Sequence, residues 1–121
     1  MTTKLAATVL GIVFLAVGIL GFIPNPIVSE NGIFAVDTMH NIVHLVSGAV
    51  LLGGVYSSLG SGMALKIIGV IYGAVAVLGL VMGPGMLLGL IHVNANDNYL
   101  HVVLAVVILA AGFMLPDNKS A

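Results

Sequence analysis

Leu5 to Ile23 is an apolar run without a charged side chain, close to the ~20 residues that cross a bilayer as a helix. Three further apolar runs follow, at about residues 39–58, 63–83 and 98–115, with Lys66 the one charged side chain among them. In hydrocarbon every backbone N–H and C=O must be satisfied internally, and helices do this within one segment. A soluble chain of 121 residues, 60% hydrophobic and 6% charged, could not cover so much apolar surface. The expected fold is all-α, an integral membrane four-helix bundle in the lipid bilayer, forming a single transmembrane domain over residues 1–121 with helices at about 5–23, 39–58, 63–83 and 98–115.

Lys4 before the first run raises the possibility of a signal peptide. The run exceeds the ~7–15-residue apolar core of such peptides, and no small-x-small cleavage site follows it, so it reads as a retained helix ended by Pro24 and Pro26. Asp37 or Thr38 is positioned to cap the second helix, and Asp97 the fourth. The third ends or kinks at Gly83-Pro84-Gly85. Met86 to Ile91 is too short to span and reads as a helical continuation or an interfacial piece.

Orientation rests on the three lysines. In a four-span path Lys4, Lys66 and Lys119 fall on one side, and Glu30, Asp37 and Asp97 on the other. The positive-inside rule makes the lysine side cytoplasmic, with both termini there. The two halves, about 1–61 and 62–121, also resemble each other. A shift of 57 superposes Asn41 on Asn98 and His44 on His101, and a slip of one places Gly11 on Gly69, Phe14 on Tyr72 and Gly21 on Gly79. Each half is then a helix-loop-helix unit, and two such units with an even number of spans are parallel repeats.

Several functions are excluded by what is missing. No arginine and only three lysines leave no basic patch for nucleic acid. No cysteine means no disulfide, thiolate metal site or covalent haem attachment. No nucleophile elbow, phosphate-binding loop or zinc-protease helix is found, and nothing marks the chain as an enzyme.

The polar residues that remain are grouped. Asp37, His40 and His44 follow one stripe of the second helix, with Asn41 beside them; Asp97, Asn98 and His101 repeat the idea on the fourth. Ser47 and Gly48 continue the stripe on the second helix, and Ala105 and Gly112 on the fourth, so these faces turn into the bundle. The cluster is expected at the extracytoplasmic end. The reading the sequence favours is a hydrogen-bonded plug that locks the bundle in a structural or accessory protein; the alternatives are a cofactor site and, after it, a proton or solute pathway in an oligomer. The cofactor is a transition metal on His40, His44 and His101, or one b-type haem between His44 and His101. The pathway lacks ionisable stepping stones in the cytoplasmic halves.

The segment from Phe34 to Gly48, with Asn41, His44, Leu45 and Gly48 opening the second helix, resembles a bacterial family of small four-helix membrane proteins, domain of unknown function 4383. Asn98 and His101 match that family's looser element on the fourth helix, which departs at Val102 and Ala105. The resemblance implies a four-helix fold in a bacterial inner (plasma) membrane and singles out the paired histidines. It implies no activity. Partners expected beyond lipid are a second copy of the chain or a larger membrane complex.

Overall fold

The computed structural model describes residues 1–117; Lys119, one of the lysines behind the orientation, lies outside them. The elements are α1 (Thr3–Leu20), β1 (Val28–Ser29), β2 (Phe34–Ala35), α2 (Thr38–Tyr56), α3 (Ser61–Met82), β3 (Gly85–Leu87), β4 (Ile91–Val93) and α4 (Ala95–Met114). All four helices are long and apolar enough to cross a membrane. At ~1.5 Å per residue the shortest of them is about 27 Å long, close to a bilayer's hydrocarbon core.

Local chemistry sets the helix ends. The Thr2 hydroxyl accepts the Leu5 N–H at 3.2 Å and starts α1. That helix stops at Leu20, short of the apolar run's end at Ile23, where the chain enters turns ahead of Pro24 and Pro26. Asp37 caps α2 by accepting the His40 N–H at 2.9 Å.

The fourth helix departs from expectation. Its cap is Asn94, not Asp97, and it begins at Ala95. The Asn94 side chain accepts the Asp97 N–H at 2.8 Å, while the Asp97 carboxylate accepts the Asn94 N–H at 2.9 Å. Both residue types cap well, and the reciprocal box uses each of them three residues apart.

The segment after α3 is a second departure. It is not a helical continuation but an antiparallel hairpin, with Gly85 opposite Val93 and Leu87 opposite Ile91. Gly83 ends α3 at φ +80°, and Gly85 follows at φ +133°. These are values that side-chain-bearing residues rarely adopt.

Helix α1 packs mainly along α2, and α3 along α4; contacts of α3 with α1 and α2 join the two pairs. Lipid offers apolar side chains as good an environment as a protein core does, so close van der Waals fit holds such pairs together. Gly11 lies against Leu52 and the Gly48 carbonyl, and Gly69 lies against Leu109. Ala7, Leu51, Ala64, Leu65 and Ile108 are fully enclosed.

The opposite end of the bundle is closed by the loops. Leu87, Ile91 and Val93 pack down onto Val43, Val75 and Leu78. The Asn94 and Asn96 amides both donate to the Ile33 carbonyl, at 2.9 and 3.1 Å, tying the first loop to the start of α4. Corresponding elements start at a near-constant offset: β1 and β3, β2 and β4, and α2 and α4 begin 57 residues apart, α1 and α3 58. The loops differ in their pairing, since β1 and β2 run parallel whereas β3 and β4 run antiparallel.

Candidate metal centre

Under the loops, in the first two turns of α2 and α4, three imidazoles converge. His40, His44 and His101 each offer a ligand nitrogen, and these atoms all lie within 4.8 Å of one another. Exposures are 1%, 6% and 2%, so the group is sealed from its surroundings. His40 and His44 share a face of α2 as i and i+4, with ring centroids 4.6 Å apart. His101 reaches them across the helix pairs, its ring 5.5 Å from that of His40.

His40 is oriented from outside the group. Its Nδ1 lies 2.8 Å from the His92 carbonyl oxygen. A carbonyl only accepts, so Nδ1 carries the proton and Nε2 keeps its lone pair. Metal-bound histidines are held in this way, through the nitrogen that does not ligate. Asp37 reinforces the hold: one carboxylate oxygen accepts the His40 N–H and the other the His92 N–H, at 2.9 and 3.2 Å. The expected site residue Asp37 thus lies at the edge of the histidine group.

The other two histidines are not tethered. His44 Nδ1 and His101 Nδ1 are buried and have no hydrogen-bond partner among the described residues. Leaving such a nitrogen unsatisfied costs about 1–3 kcal/mol. Packing around them is aromatic: the Phe14 ring stands 5.9 Å from His44, and the Tyr72 ring 5.8 Å from His101, edge to face. The Tyr72 hydroxyl is 3.0 Å from Ser47 Oγ, which also donates to the Val43 carbonyl at 2.7 Å.

Asn41 and Asn98 hold a different position. Gly21 packs against the Asn41 amide and Gly79 against the Asn98 amide, so closely that a Cβ at either glycine would overlap it. Asn98 also donates to the Gly79 carbonyl at 3.1 Å. These asparagines join α1 to α2 and α3 to α4 beside the histidines. Asp97, fully buried, completes the α4 capping box and is not in the histidine group.

Nitrogens this close can take one first-row transition ion, since metal–nitrogen bonds of ~2.0–2.1 Å require them to close in by only an ångström or so. A haem fits poorly. Axial ligation by His44 and His101 would put a porphyrin between them, yet the His40 ring lies within 4.6 and 5.5 Å of those two rings.

Sequence reasoning passed over His92, which acts through its backbone and so leaves no mark in residue type. Phe14 and Tyr72 were visible as a matched pair 58 residues apart, but not as walls of the histidine group.

Neither the curated proteins nor the solved structures contain a match to this chain. A family model does match, over residues 4–114, described as Domain of unknown function (DUF4383), and the chain belongs to that family.

Proposed function

We propose that this is a small membrane protein that holds one transition-metal ion between His40, His44 and His101. One observation carries the reading: three buried imidazoles with ligand atoms within 4.8 Å, two of them with an unpartnered nitrogen. A hydrogen-bonded plug has no use for unpartnered nitrogens, whereas a metal ion satisfies a lone pair on each ring. The lysine distribution supports a place for the centre at the extracytoplasmic end, with both termini cytoplasmic in a bacterial inner membrane. The common 57-residue offset of the loops and of α2 and α4 supports two helix-loop-helix halves, 1–61 and 62–121.

The test is metal analysis of the wild-type protein purified in mild detergent, beside His44→Ala and His101→Ala. Near-stoichiometric metal in the wild type, lost from both variants, supports the centre. A metal-free wild type whose variants only melt earlier sinks it.

That second outcome is the signature of the other reading, a structural or accessory subunit locked by its polar end, alone or within an oligomer or larger complex. It draws support from the bonds of His40 to His92 and of Asn98 to Gly79. A solute or proton pathway finds less support, because the far half of the bundle is filled by Ala7, Leu51, Leu65 and Ile108.

A further inference from the structure

We infer that the ion this centre is built for is monovalent copper, Cu(I); the inference rests on the metal-centre reading above. The donor set is the first reason. It consists of three neutral imidazoles, and no carboxylate joins the group among the described residues. The carboxylates closest along the two helices are engaged elsewhere. Asp37 accepts the backbone N–H groups of His40 and His92, and Asp97 accepts that of Asn94. Magnesium, calcium and manganese seek oxygen ligands and find none here.

Charge is the second reason. The three histidines are 1%, 6% and 2% exposed, in the first two turns of helices apolar enough to cross a membrane. The cost of removing an ion from water rises with the square of its charge, so a divalent ion costs about four times a monovalent one. No anionic ligand offsets the difference.

Coordination number is the third. Zinc is nearly always four-coordinate, and with three protein ligands it takes water or substrate as the fourth. The walls around this group do not favour that. Phe14 beside His44 has no donor atom, and the Tyr72 hydroxyl beside His101 is turned to Ser47 at 3.0 Å. Cu(I), a closed-shell ion content with two or three nitrogen ligands, needs no fourth.

The experiment uses the full chain in mild detergent, stripped of metal and kept anaerobic with a reductant. Cu(I) is titrated against the chromophoric competitor bicinchoninate, and Zn(II) separately against a colorimetric zinc chelator. One Cu(I) per chain is expected, bound about 100-fold tighter than Zn(II), and His44→Gln should lose a similar factor. X-ray absorption on the Cu(I)-loaded wild type needs no variant and should show a three-coordinate ion with imidazole ligands and no fourth neighbour. Zinc binding as tight as Cu(I), or a fourth ligand in the coordination shell, overturns the copper assignment and leaves the metal centre standing. A wild type that retains neither ion overturns both.

Discussion

The His40 imidazole and the His92 carbonyl meet at 2.8 Å, joining the first turn of α2 to the hairpin that covers it. His92 contributes only main-chain atoms to this contact and to the one with Asp37, and its side chain is half-exposed. His92→Ala should therefore retain bound metal at the wild-type level, whereas His40→Ala should lose it. Metal content per chain after desalting is the measurement, and loss of the ion from His92→Ala would count against the centre as described.

Asp37 carries two duties on one carboxylate, the cap of α2 and the hold on β4. Asp37→Ala removes both acceptors and should lower stability by about 1–3 kcal/mol, read from thermal unfolding in detergent. Asp37→Asn keeps one carbonyl oxygen for the cap and should lose about half as much. Equal melting of wild type and Asp37→Ala would mean the clamp contributes nothing.

Glycines at the helix contacts separate into filled and open positions. A Cβ at Gly21 or Gly79 would overlap the amide of Asn41 or Asn98, but at Gly53 it would meet nothing within 4 Å. Gly21→Ala and Gly79→Ala should each destabilise by about 1–3 kcal/mol. Gly53→Ala should be neutral or stabilising by up to about 1 kcal/mol, from reduced backbone freedom. Thermal melts of the three variants side by side decide it, and tolerance at Gly21 and Gly79 would show that the asparagines can move aside.

Tyr72→Phe tests the wall. Ser47 keeps its bond to the Val43 carbonyl, so loss of the phenol should cost only about 0.5–1.5 kcal/mol and leave metal binding intact.

Much of this was legible because lipid is an exacting solvent. Run length and Pro or Gly punctuation marked the four helices, and the cap of α2 was narrowed to Asp37 or Thr38, which the bond to the His40 N–H decides for Asp37. The start of α4 was harder, since Asn94 and Asp97 are both capping residues and only their reciprocal bonds show which stands first. The hairpin at 85–93 was hidden for a different reason. Apolar residues such as Met86, Leu87 and Leu90 suit a helix equally well, and the positive φ angles at Gly83, Gly85, Leu88 and Gly89 that turn the chain have no periodic signature. At the site, helical spacing gave the stripe of His40 and His44. It could not say how far His101, on the other helix pair, would reach.

Asp37 and Asn94 cap their helices 57 residues apart, and the same offset carries His44 to His101 but His40 to Asp97. Two identical halves facing each other across an axis can present donors only in even numbers. This chain is not held to that rule. Asp97 closes the α4 cap where, 57 residues earlier, His40 stands as an imidazole, and that single difference makes the set odd.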